Sequence, residues 1–154
     1  MRVAGAGFAV CLLGACATTD TAGRGSDTPD VVLDDRGLLA GRTGLEVGFG
    51  RAPEGAVTAV SALVGTPSTT PLSAVPTCGP EVAVISYPDG LTLTFTERMF
   101  TGWHLAGEAS AYRTSTGVSL GDPGDALPAD RGISASTGPD GRIVGLSAGA
   151  PCVA

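Results

Sequence analysis

The chain has 154 residues, nine basic against fifteen acidic, for a formal net charge of -6. Every basic residue is arginine, and there is no Lys, Asn or Gln. That excludes a lysine Schiff base, a P-loop lysine, a Ser-x-x-Lys acylation centre and N-glycosylation, while the acidic balance argues against nucleic acid, whose binders need a basic stripe to displace counterions from phosphates.

Met1-Arg2 places positive charge at the start, and Val3 to Ala15 follow, all apolar or small. The run is shorter than the roughly 20 apolar residues that span a bilayer and has the length of a signal-peptide core. It ends in Leu13-Gly14-Ala15-Cys16. Leucine, two small residues and cysteine resemble the lipobox of bacterial lipoproteins. The resemblance implies cleavage before Cys16 and acylation of that cysteine; two or more acyl chains anchor stably where one does not. The expected location is the extracytoplasmic face of the cell membrane, held there by the lipid. Cys11 lies in the apolar core and is expected to leave with the signal peptide. Thr18 to Asp30 is small and polar, unable to bury enough apolar surface to fold, and reads as a flexible tether. The expected organisation is a signal peptide over 1–15, an acylated cysteine and tether over 16–30, and a single domain over 31–154.

Pro53 to Gly65 predicts a short helix. Pro53 suits the first turn, Glu54 complements the positive dipole end, and Gly65 and Pro67 stop it. Ala56, Val60, Leu63 and Val64 share one face. Its β-branched residues lower its own propensity, so it needs a sheet to pack on. Thr66 to Thr77, rich in Thr, Ser and Pro, is expected to be a loop.

Strands follow. Glu81 to Tyr87 is a nearly continuous apolar run, and Pro88-Asp89-Gly90 is a turn in which proline fixes φ and glycine accepts a positive one. Leu91 to Thr96 alternates, with Leu91, Leu93 and Phe95 inward and threonines outward. Glu97-Arg98 makes a tight hairpin without the preferred glycine. Met99 to Ala106 returns, and Glu108 to Thr114 is expected to add another strand. The fold class is α+β, an antiparallel meander with a helix on one face.

Gly44 to Gly149 contains echoes of itself. Gly44-Leu-Glu-Val-Gly48 resembles Gly117-Val-Ser-Leu-Gly121, and Tyr87-Pro-Asp-Gly90 resembles Gly138-Pro-Asp-Gly141. Asp122 to Asp130 stands where a second helix belongs, but Pro123, Gly124 and Pro128 reduce it to a turn at most. Two degenerate repeats are one reading; chance similarity in a chain with 24 glycines is the other.

Setting aside Cys11 and Cys16, two cysteines remain, Cys78 and Cys152. In an oxidising compartment they most simply form one disulfide; two free thiols or an intermolecular bond are the alternatives. There is no Cys-x-x-Cys to suggest redox or zinc chemistry.

The order Gly-x-x-x-Gly, short helix, Cys78, a hairpin running into Phe100-x-Gly102-Trp103, and a last hairpin before Cys152 resembles small secreted or lipid-anchored proteins of GC-rich Gram-positive bacteria. More distantly, the helix-then-meander unit resembles the repeats of β-lactamase inhibitor protein and of the small lipoprotein of the outer-membrane assembly machine. That resemblance implies binding of other proteins without catalysis; the shortened second helix departs from it.

Candidate chemistry is sparse. Ser119 and Ser147 each sit in Gly-x-Ser-x-Gly, but neither is expected on the strand-to-helix turn that exposes a hydrolase nucleophile. His104, the sole histidine, is expected beside Phe100 and Gly102, opposite Trp103, and a lone histidine makes a poor metal site. Asp34-Asp35, Asp122 and Asp125 lack the spacing of a calcium loop and read as turn or cap residues. Trp103 is expected in the core with Met99 and Leu105; exposed, it would be the first interface residue to test. The expected function is a non-catalytic binding or envelope-structural role toward an envelope or extracellular protein or the cell wall, without cofactor or metal. Inhibition of an envelope or secreted enzyme and capture of a small ligand are the alternatives.

Overall fold

The computed structural model describes residues 31–41, 43–69, 72–107, 112–129 and 131–153. The segments expected as signal peptide and tether, with Cys16 between them, lie outside these residues. Val31–Asp34 (β1) and Gly37–Ala40 (β2) form a tight antiparallel hairpin, which Glu46–Gly48 (β3) extends. Val31, Leu33, Leu38 and Val47 are buried. None of these strands was expected, because each is too short to show an alternation of its own.

Pro53–Val64 forms the helix α1. Proline opens it, the Ala56 N–H closes on the Ala52 carbonyl at 3.0 Å, and Gly65, with φ 92°, ends it by donating to the Ser61 carbonyl. Ala56 and Val60 are fully buried, with Leu63 and Val64 packed beside them. The following loop holds one short strand, Ser73–Ala74 (β4), paired with Val82–Ser86 (β5). A single turn at Pro88–Gly90 leads into Leu91–Thr96 (β6), and a two-residue turn joins this to Met99–Ala106 (β7). Arg113–Thr114 (β8), Ile133–Thr137 (β9) and Ile143–Gly149 (β10) complete the set.

The strands make two sheets. The small one runs β3-β2-β1-β8, and the large one β4-β5-β6-β7-β10-β9. Every pairing in the large sheet is antiparallel, so the expected α+β class with a meander holds. Helix and small sheet cover the same face of the large one. The Tyr87 hydroxyl donates to the Val57 carbonyl and lies 3.2 Å from Ser61 Oγ, both on α1. Trp103 Nε1 donates to the Asp34 carbonyl of β1 at 2.8 Å. Between these layers Leu91, Leu93, Phe95, Phe100, Trp103, Leu105 and Leu146 form one continuous core with Val31, Leu33 and Val60.

Three details differ from expectation. The segment expected as a strand after Gly107 does not extend the meander: residues 108–111 lie outside the described set, and β8 crosses to the small sheet to run parallel to β1. Within β7, Thr101 is a bulge, since Thr94 pairs with Gly102 but Phe95 with Phe100. The extra residue reverses the parity of the strand, so Phe100 joins Trp103 and Leu105 inside, while Met99 turns outward at 45% exposure. The third difference concerns the C-terminal half. Its single turn at Gly124–Ala126 is as expected from Pro123, Gly124 and Pro128; the departure is from the two-repeat reading, since the hairpin β9–β10 is added to the edge of the existing sheet rather than building a second helix-and-meander unit.

Candidate functional site

One face of the large sheet is the core. Strand alternation sends the other residues of β5, β6, β7, β10 and β9 to the opposite face. Register places Ser86, Thr92, His104, Ser147 and Ser134 in a single row across five strands. A second row holds Ala106, Gly145 and Ser136. Ser134 and Ser136 are exposed, and the other side chains of the first row are half-buried. Ser86 Oγ and Thr92 Oγ1 lie 3.1 Å apart. At Gly145 the face dips, because a Cβ there would press on Ser136 Oγ and stand 3.5 Å from His104 Nε2. The surface is therefore flat, built of small hydroxyl residues, and uncharged apart from what His104 can carry. Burial lowers the pKa of His104 from its ordinary 6.5, which favours the neutral ring with one donor and one acceptor nitrogen.

The C-terminal segment closes one side of this face. Val84, Thr94, Gly102 and Gly149 form the neighbouring row, and residues 150–152 lie across it. The Ala150 N–H donates to the Thr101 carbonyl, and the Cys152 N–H to Thr94 Oγ1 at 2.9 Å. Thr94, expected to face solvent, is thereby buried. Gly102 permits the approach: a Cβ there would come within 2.6 Å of the Ala150 and Pro151 backbone. The Cys78–Cys152 disulfide, with its Cα atoms 5.9 Å apart, fastens this strap to the loop between β4 and β5.

Trp103 takes no part in the face. It is fully buried, its ring in the core and its N–H satisfied by Asp34, so it is not a surface contact residue. Ser119 is also buried. It holds a turn, its N–H donating to Asp122 Oδ2 at 2.8 Å and its hydroxyl to the Tyr112 carbonyl. Ser147 sits in the middle of β10 rather than on a strand-to-helix turn. Register nevertheless puts it directly opposite His104, a proximity that the linear order of the two residues did not reveal. Among the described residues no hydrogen bond joins them. The Asp34-Asp35 pair lies at the β1–β2 turn with Arg36, while Asp122 and Asp125 belong to the segment before β9. Asp34 and Asp122 serve their own turns, accepting from the Arg36 and Ser119 N–H groups.

A second concavity of about 130 Å³ lies between the start of α1 and the β5–β6 edge. Ala83, Phe95 and Leu72 line it, and Glu81 and the Arg98–Glu54 ion pair, at 3.5 Å, stand at its mouth. It is smaller than the roughly 300–1,000 Å³ typical of ligand pockets, so the open sheet face is the stronger candidate site.

Comparison with known protein families, with curated proteins and with solved structures finds no match to this chain.

Proposed function

We propose that this is a membrane-anchored extracytoplasmic lipoprotein that binds an envelope partner without catalysing a reaction on it. Cys16 carries the acyl chains, residues 17–30 form the tether, and the hydroxyl-lined face of the large sheet is what the domain presents. The observation that carries the reading is the coincidence of two independent cysteine features. Leu13-Gly14-Ala15-Cys16 has the form of a lipobox, and Cys78 and Cys152 meet as a disulfide, a bond that persists outside the reducing cytosol. Neutral hydroxyls and a neutral imidazole on a flat sheet offer hydrogen bonds without a charge preference, which suits an uncharged polar surface of an envelope protein or of the cell wall.

Site-directed photocross-linking in intact cells tests the binding face. A photoreactive residue at Thr92, on the same face but away from the sheet edge, is expected to capture a discrete partner band, and one at the exposed Thr58 on the outer side of α1 is not. Capture at both positions alike, or at neither, would count against the reading.

A further inference from the structure

The large sheet ends in β9, and the two sheets have three other edges. β4 and β8 have two residues each, and β3 has three and carries the exposed Glu46. β9 has five, Ile-Ser-Ala-Ser-Thr, with no charge, proline or glycine, and Ser134, Ala135, Ser136 and Thr137 are all exposed. A long uncharged edge of this kind, without the usual devices that blunt edges, is a template for another strand. Which backbone groups remain open follows from the hairpin. The Gly138 N–H donates to the Arg142 carbonyl, toward β10. By two-residue alternation Ser136 and Ser134 also bond toward β10, and Ile133, Ala135 and Thr137 direct their N–H and C=O outward.

We propose that β9 pairs antiparallel with β9 of a second copy of this chain, about a twofold axis at Ala135, making one continuous twelve-stranded sheet. This register sets Ala135 against itself, Ile133 against Thr137 and Ser134 against Ser136, and each outward N–H meets an outward carbonyl. The ends of the edge are complementary in charge. The exposed Arg131 of each copy comes beside the region of Asp140 of the other, an exposed aspartate whose Oδ1 accepts from the Arg142 N–H at 3.2 Å and whose Oδ2 stands 3.9 Å from the exposed Arg142 guanidinium. Ser134, Ala135 and Ser136, at the centre of the register, are small and exposed. An axis perpendicular to the sheet keeps both open faces on one side, so Ser134 of one copy continues the row through Ser136 and Gly145 of the other. The proposal does not depend on the lipid anchor.

A single strand-to-strand contact is small, so the dimer is expected to be weak and to form between micromolar and millimolar protein. Sedimentation of the full chain purified in detergent should show the mass of the protein component doubling over that range. Ala135→Pro removes only an outward N–H, which edge strands tolerate, and should raise the dimer Kd at least about tenfold with unchanged circular dichroism. The register has its own test. Opposed Ala135 residues lie about 5.5 Å apart, inside the window of about 4.4–6.8 Å for a disulfide. Ala135→Cys should therefore cross-link on oxidation of the purified protein, and Ser134→Cys, whose counterpart is displaced along the strand, should not. A protein that stays monomeric throughout, a dimer unaffected by Ala135→Pro, or equal cross-linking by the two cysteine variants would overturn the proposal.

Discussion

Trp103 joins the two sheets through one hydrogen bond and a large buried ring. Trp103→Phe removes the donor and part of the volume, and is expected to cost about 2 kcal/mol in urea unfolding. Glu97 and Arg98 show the opposite case, residues that fit their positions poorly. Both take positive φ, 50° and 61°, as the tight β6–β7 turn demands and as side chains with a Cβ resist. Replacing them together by Asn-Gly is expected to raise stability by about 1 kcal/mol, since the exposed Arg98–Glu54 pair that is lost contributes little. His104 makes stability depend on pH. Burial lowers its pKa in the fold, so as the pH falls below 6.5 the unfolded chain takes up a proton that the folded chain resists. Stability should therefore decline from 6.5 down to the lowered value. Melting temperatures of the protein and of His104→Gln should diverge across that window, with the variant showing the flatter profile.

At the scale of elements, α1, the Pro-Asp-Gly turn and β5 to β7 were legible because each has a local signature: a proline start and glycine stop, a fixed-φ turn, an alternation of leucine and threonine. The bulge at Thr101 was not, because nothing in Met-Phe-Thr-Gly-Trp-His marks an extra residue; it is set by pairing with β6 and by the Gly50–Arg51 backbone, which bonds to Phe100 on both its N–H and its C=O. One residue of slip was enough to exchange the faces assigned to Met99 and Phe100. β1, β2 and β3 escaped detection because strands of three or four residues show no alternation of their own, and for β8, which lies within an expected strand, it was the partner that could not be read, since Leu33 and Thr114 are far apart in sequence. The strap was half legible: the cysteines were evident, but not that residues 150–152 cover Thr94. Removing the disulfide as Cys78→Ser with Cys152→Ser opens a loop with a sequence separation of 74 and is expected to cost about 4 kcal/mol, read from the shift in unfolding midpoint.

For the molecule as a whole, a helix and a small sheet seal one face of a six-stranded sheet, and the other carries, beside the C-terminal strap, a patch of hydroxyls and one histidine. This candidate face could not be read from the sequence, because its members are scattered from Ser86 to Ser147 and only register aligns them. Trp103, expected in the core and a possible interface residue only if exposed, lies beneath it in the core. The anchoring reading, in contrast, rests on residues next to one another, Leu13 to Cys16. Its most direct test is the mass of the N-terminal peptide from membranes of expressing cells, measured beside a Cys16→Ser variant. The account predicts a peptide that begins at Cys16 and carries the mass of a diacylglyceryl group, absent from the variant. An unmodified N-terminus recovered from the medium would contradict it.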